Sequence, residues 1–281
     1  MTLPNRNCFF KAGIIISLVA LIGSAVVSGF LLPSYPGEIF PDKPDDVRRS
    51  QGILHAVIGH FLSPAPYVPI ATIISAVAYS LIIMSLIYYF FEKTQAPEIL
   101  FVAFFTFSFA FESARLIMPL RFEWELPGVY VTAACRVLIF GRYFGLFSLF
   151  VAGVCASGLE IREPGNVILL LVGAALIVAL GMPIDGFSWD STLCLISGYA
   201  SMFKLVEIGI ILITTASFFV SAYIRGAREY ILIGVGALLV SLGRSLLLTA
   251  DTWATPFAGL AILVAGTWFI CNQLHRVYLW L

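Results

Sequence analysis

Long apolar segments alternate with short polar ones along the whole chain. A helix that crosses a membrane needs about 20 predominantly apolar residues, because it rises about 1.5 Å per residue. Eight segments reach this length, and they predict helices over 11–32, 67–91, 98–120, 129–157, 166–183, 203–224, 229–250 and 255–280. The pattern therefore predicts an all-α integral membrane protein, a polytopic bundle of about eight transmembrane helices in a single domain, 1–281.

The fourth segment, 129–157, allows two conformations. Gly141 and Arg142 lie inside it, and membrane helices can break at glycine where the freed backbone groups find other partners. The segment is therefore either one tilted helix or two shorter pieces broken at the glycine.

The composition excludes a soluble protein. Hydrophobic residues make up 60% of the chain and charged residues 11%, whereas about a quarter of the residues in soluble domains are charged. Lysine plus arginine equals aspartate plus glutamate, 16 of each, so the net charge gives no indication of a nucleic-acid partner. The expected environment is the lipid bilayer.

The distribution of cations predicts the orientation, because cytoplasmic loops carry an excess of lysine and arginine. One set of loops and ends holds Arg6, Lys11, Lys93, Arg162, Arg225, Arg228 and Arg276, and the other set holds Lys43, Arg48, Arg49 and Arg121. We therefore predict cytoplasmic N- and C-termini, in a multi-pass protein of a bacterial-type plasma (inner) membrane.

The outer loop 33–66 is the longest polar segment. Its first half is rich in proline and charge, which predicts irregular structure, whereas 51–62 reads as a short interfacial helix. His55 and His60 within it are five residues apart, about 140° around a helix. They do not share a face, so we predict no metal site there.

A set of eight charged residues falls in the outer half of the predicted membrane helices or at their outer rim. A charge at membrane depth costs a few kcal/mol or more, so its presence indicates a functional site with a partner nearby. We take the following as candidate ligand-binding residues: Glu112, Arg115, Arg136, Arg142, Lys204, Glu207, Arg244 and Asp251.

Helical spacing predicts how these charges pair, since residues three or seven apart share a face. The predicted pairs are Glu112 with Arg115, Lys204 with Glu207, and Arg244 with Asp251. Arg136 and Arg142 have no acid on their own helix, so at least one of them needs a counter-charge from elsewhere.

The sign of the candidate set points to an anion. Five cations and three acids leave an excess of two positive charges, which suits a carboxylate, a phosphate or a lipid headgroup held by arginine forks. The alternative is a set of interhelical salt bridges that only fix helix packing, with Lys204, Glu207 and Asp251 solvated at the rim.

Motifs for metal, nucleotide and redox chemistry are absent from the sequence. It contains no HExxH and no GxxxxGK[ST], and its five cysteines form no CxxC pair. We therefore predict no cofactor and no metal. A bridge between Cys135 and Cys194 on the outer side is conceivable, but the spacing alone does not establish it.

The leading functional prediction is a non-catalytic receptor or sensory module. It binds a small anionic or lipid-derived ligand in a cavity open to the outer side, and it signals through a partner protein, since the chain stops close to the membrane. The alternative is a transporter or flippase for such a ligand. A third reading is a lipid-modifying enzyme with Glu112 as base, but no nucleophile stands beside that residue.

Overall fold

The computed structural model of the protein describes residues 3–31, 61, 65, 67–94, 96–158, 163–190 and 192–279. Its elements are α1 (Leu3–Leu31), α2 (Val68–Phe91), α3 (Pro97–Phe107), a 3-10 segment (Ser108–Leu116), α4 (Ile117–Trp124), α5 (Gly128–Ala156), α6 (Pro164–Gly181), β1 (Ile184–Trp189), β2 (Leu195–Ser197), α7 (Ala200–Arg225), α8 (Glu229–Leu248) and α9 (Ala254–Leu279).

Within these residues, eight helical spans are long and apolar enough to cross a membrane. The third, Pro97–Arg121, runs through α3, the 3-10 segment and into α4, and it is the most buried of the eight. Helices suit this environment because lipid offers no partner for a free backbone N–H or C=O. The prediction of an all-α polytopic bundle is confirmed, while the interfacial helix predicted over 51–62 lies outside the described residues.

Both ends of the described chain lie at the same end of the bundle, which we call the terminal end. Near the N-terminus, the Arg6 guanidinium donates hydrogen bonds to the carbonyl oxygens of Phe91 (2.7 Å) and Glu92 (2.9 Å), where α2 ends. Near the C-terminus, the Tyr278 hydroxyl donates to the Glu98 carboxylate at 2.6 Å. The cytoplasmic location of this end stays a prediction.

The irregular span is the third and not the fourth. Helix α5 is continuous over Gly128–Ala156, so the fourth segment is one helix. The third span, in contrast, tightens into nine residues of 3-10 helix at Ser108–Leu116. Runs of 3-10 helix longer than three or four residues are uncommon, and inside a helix they often mark functional or strained positions.

A two-stranded antiparallel hairpin joins α6 to α7 at the opposite end of the bundle, which we call the hairpin end. Ile184 pairs with Ser197 and Trp189 with Leu195, and a register shift lies between the two pairs. The sequence predicted only a loop here.

Four glycines bring α8 and α9 into direct backbone contact. A Cβ on Gly243 would lie 2.5 Å from the Leu263 nitrogen, and one on Gly266 would lie 2.7 Å from the Val240 nitrogen. Gly236 and Gly259 face the partner backbone in the same way. Small residues at such positions let membrane helices approach closely, which increases van der Waals contact.

We predict that Gly243→Ala destabilises the bundle by about 1–3 kcal/mol, because the added methyl group overpacks a backbone-to-backbone contact. The measurement is the thermal unfolding midpoint of the purified protein in detergent.

Gly173→Ala on α6 is the matched control, because a Cβ there meets nothing within 4 Å. It should be neutral or should stabilise the helix by up to about 1 kcal/mol. Equal midpoints for the two variants would contradict the packing role of Gly243.

Candidate functional site

Glu112 is the centre of a buried ion-pair network. Arg142 binds its carboxylate side-on: Nε donates to Oε1 at 2.8 Å and Nη2 donates to Oε2 at 3.0 Å. Arg115 adds a third contact, from Nη1 to Oε2 at 3.3 Å. The Glu112 and Arg115 side chains are 3% and 1% exposed, so two arginines share one buried carboxylate, which can balance only one of their two charges.

Arg244 extends the network to two further helices. Its guanidinium forms an ion pair with Glu207 on α7, and Nη2 donates to the backbone oxygen of Arg142 at 3.2 Å. We call Glu112, Arg115, Arg142, Glu207 and Arg244 the charged cluster. Three arginines and two glutamates leave this cluster one positive charge in excess.

The local backbone explains how the third span supplies two of these charges. In a 3-10 helix, residues three apart eclipse one another, so Glu112 and Arg115 project from one face of the 3-10 segment. Helix α5 can approach because it has no side chain at two positions. A Cβ on Gly141 would lie 2.4 Å from the Phe111 Cβ, and one on Gly145 would lie 2.2 Å from the Ser108 Oγ.

The hairpin closes over the charged cluster. Arg115 Nη2 donates to the backbone oxygen of Thr192, and Arg142 Nη2 lies 3.5 Å from the Cys194 sulfur. Thr192, Leu193 and Leu195 are buried, although they belong to a connection between helices. Leu193 adopts a positive φ of 60°, a conformation that is costly for a residue with a side chain unless its surroundings impose it.

One donor of the charged cluster has no partner. Arg115 Nε is buried and makes no hydrogen bond among the described residues, although the same guanidinium contacts both Glu112 and Thr192. An unsatisfied donor inside a protein is costly. This atom is therefore a point at which an additional acceptor would stabilise the site.

Of the three predicted same-helix pairs, the structure contains one, Glu112 with Arg115. Glu207 forms its ion pair with Arg244 on the neighbouring helix and not with Lys204 on its own. This corrects two predicted pairs, Lys204 with Glu207 and Arg244 with Asp251. Lys204 is exposed. The reason is that α7 and α8 lie side by side, which places an interhelical partner closer than the intrahelical one.

Arg136 and Asp251 lie outside the charged cluster. The Arg136 guanidinium donates to the Leu180 carbonyl oxygen at 2.8 Å, at the end of α6, where carbonyl groups lack helical partners. Arg136 thus caps a helix terminus, as Arg6 does. Asp251 follows the end of α8, and its backbone oxygen accepts a hydrogen bond from the Ala65 nitrogen at 3.3 Å.

Sequence reasoning missed the contribution of the hairpin, Thr192 above all. Its contact with Arg115 uses a backbone oxygen, which any residue type can supply, so residue identity carries no signal. A hairpin signal was present nonetheless. Polar residues at 190–192 separate two short runs that contain aromatic and branched residues, 184–189 and 193–197, and such a pattern is typical of two strands and a turn.

A cavity of about 690 Å³ lies at the terminal end, between the first turns of α1 and α6. Phe9, Ala12, Pro164 and Ile168 are among its lining residues. It is therefore separate from the charged cluster, and the outward-opening cavity predicted at the cluster stays a prediction. In the described part of the chain, no group of three or more His, Cys, Asp or Glu residues could hold a metal ion.

Comparison with known proteins gives no activity. No family model and no solved structure matches the chain. The chain is similar to an uncharacterised protein of Treponema pallidum (strain Nichols), with 29% identity over 89 residues. This match covers 32% of the chain and 26% of the relative, so the chain spans about a quarter of the length of that relative.

Glu112→Gln should destabilise the protein by roughly 3–5 kcal/mol, because it leaves the buried Arg115 and the partly buried Arg142 without their carboxylate. The measurement is thermal unfolding in detergent at constant pH.

Glu207→Gln is the matched control, because it removes the same charge from a side chain that is 32% exposed. Water near this position compensates the loss in part, so a clearly smaller change is expected. Equal losses of stability would contradict the central position of Glu112.

Proposed function

We propose that the protein is a membrane receptor that binds a small monoanion at the charged cluster, reached from the hairpin end. The observation that carries this proposal is the convergence of three arginines from three spans on only two carboxylates. The excess of one positive charge at membrane depth is costly, and a ligand with one negative charge would cancel it. A dianion such as sulfate would instead reverse the sign.

Arg115 can donate hydrogen bonds to a ligand, because its present partner in the hairpin is a weak acceptor. One side of its guanidinium contacts the neutral Thr192 carbonyl oxygen, and Nε makes no hydrogen bond within the described part of the chain. A carboxylate or a phosphodiester oxygen makes shorter and stronger hydrogen bonds to guanidinium than a neutral carbonyl does. An anion at Arg115 would therefore compete successfully with the hairpin.

Helix α7 supports a signalling role. The hairpin leads directly into α7, and Glu207 of α7 pairs with Arg244 of the charged cluster. None of the residues 200–213 in the first half of α7 is fully buried. Partly buried side chains such as Phe203 and Ile210 and this ion pair hold that half in place. An anion that takes Arg244 from Glu207 would release α7, which runs to the terminal end.

A ligand can shift a conformational equilibrium only by its difference in affinity for the two states. Here that difference arises because Arg244 is occupied by Glu207 in one state and free for the ligand in the other. A partner protein that binds at the terminal end would respond to the change in the position of α7. We include this partner in the proposal because α7 connects the hairpin end to the terminal end.

The test is a thermal-shift series on the full chain in detergent. Acetate, lactate and benzoate probe for a free carboxylate, phosphatidylglycerol added to the micelles probes for a lipid headgroup, and sulfate serves as the dianion. At a concentration 100 times its Kd, a ligand stabilises the folded state by about 2.7 kcal/mol. We expect one of the monoanions to raise the midpoint by several degrees and sulfate to have a smaller effect.

Arg142→Lys and Arg136→Lys form the matched pair of variants. Both keep the charge and lose the planar fork, but only Arg142 belongs to the charged cluster. The ligand-induced shift should disappear in Arg142→Lys and persist in Arg136→Lys. A shift that survives in Arg142→Lys, or the absence of a shift with every monoanion, would refute the proposed site.

A transporter of the same monoanion is the second candidate function. The 3-10 segment favours it, because transporters place substrate sites at interrupted helices near the middle of the membrane, and this segment carries Glu112 and Arg115. In this case the ligand would cross the membrane instead of returning to the hairpin end.

Uptake of radiolabelled lactate and benzoate into proteoliposomes separates the two candidates. A receptor should give no uptake above that of protein-free liposomes. A transporter should give saturable uptake that is lost with Arg142→Lys and retained with Arg136→Lys, and this result would replace the receptor assignment.

A further inference from the structure

Two of the five cysteines lie near one another where the hairpin packs against α5. Cys135 lies on α5, and Cys194 lies in the hairpin between Thr192 and β2. The Cys135 thiol lies against the backbone of Leu195, the residue next to Cys194, and near enough to the Cys194 thiol for an electrostatic interaction. Both thiols are free in this structure.

The helical geometry of Arg142 supports this placement independently. Residues 135 and 142 are seven apart, so they share a face of α5, and helical side chains point back toward the helix N-terminus. The Arg142 guanidinium therefore reaches toward the level of Cys135. Its Nη2 lies 3.5 Å from the Cys194 sulfur, which puts Cys194 at that level as well.

We propose that Cys135 and Cys194 form a reversible disulfide that fixes the hairpin over the charged cluster. The bond would hold the hairpin against α5 while Thr192 contacts Arg115. Oxidation would keep the charged cluster closed, and reduction would free the hairpin to move. The existence of the bond is independent of the proposed receptor function, whereas its effect on ligand binding rests on that function.

The oxidant in this proposal is a protein or small-molecule disulfide. The Cys194 thiolate attacks one of its sulfur atoms, forms a mixed disulfide and releases one thiol. The Cys135 thiolate then attacks the Cys194 sulfur, the intramolecular disulfide forms, and the second thiol leaves. The two cysteines lose two electrons and two protons in total, which the oxidant takes up as two thiols.

Accessibility agrees with this order of steps. Cys194 is partly exposed, whereas Cys135 is buried, so the external disulfide reaches Cys194 first. Disulfides persist in oxidising compartments outside the cytoplasm. The distribution of lysine and arginine predicts that the hairpin end faces that side.

The experiment counts alkylated cysteines in the full chain and maps disulfide-linked peptides by mass spectrometry. After treatment with oxidised glutathione, the number of thiols that iodoacetamide modifies after unfolding should fall from five to three, with one linked peptide pair containing Cys135 and Cys194. Dithiothreitol should restore all five. Five modified thiols after oxidation, or a linked pair with any other cysteine, would overturn the proposal.

Two variants make the assignment specific. Cys194→Ser should keep its four remaining thiols after oxidation, whereas Cys155→Ser should fall from four to two, because Cys155 lies 20 residues further along α5, about 30 Å away. Peptide mapping of the unsubstituted chain needs neither variant, so a folding defect in one of them does not affect the result.

The ligand response provides a separate readout. The oxidised protein should lose the monoanion-induced thermal shift, and reduction should restore it. A mapped disulfide together with an unchanged shift would leave the bond in place and refute its closing role, whereas the absence of any shift in the reduced protein would refute the receptor function alone.

Discussion

The contact of Glu112 with two arginines is the interaction on which the rest of the interior depends. Arg142 binds the carboxylate side-on and Arg115 binds it from the same 3-10 segment. Ion pairs buried in a low-dielectric medium are stable only when geometry and further hydrogen bonds offset the loss of hydration. Thr192 and the Arg142–Arg244 contact supply those bonds, so the hairpin and α8 are held by the same network.

Close packing is the condition for this network. Without a side chain at Gly141 and Gly145, the backbone of α5 approaches the 3-10 segment closely enough to contact the first side-chain atoms of Phe111 and Ser108. The arginine that follows Gly141 in the chain can then bind Glu112 directly. The glycines of α8 and α9 act similarly on the other side, where they bring α9 into close backbone contact with α8, the helix that carries Arg244.

The sequence predicted the eight spans because length and hydropathy are local properties of each segment. It also predicted that Glu112 and Arg115 share a face, which depends on spacing alone. The partnership of Glu207 with Arg244 was not predictable in this way, because it depends on which helices are neighbours. The 3-10 segment was missed for a related reason: its residues are compatible with an α-helix, and the conformation is tied to how closely α5 approaches.

Both carboxylates of the charged cluster are already paired with arginines. An anion can still bind, because the free-energy cost of separating a glutamate from its arginine differs between Glu112 and Glu207. Displacing Glu112 would leave a carboxylate that is 3% exposed without a partner. Displacing Glu207, which is 32% exposed, returns a carboxylate to hydration and leaves Arg244 to the incoming anion. In the proposed receptor, the less costly exchange would therefore be at α7, a helix whose first half has no fully buried residue. In the proposed receptor, binding energy at the charged cluster would thus act on a helix whose first half is only partly packed against the bundle.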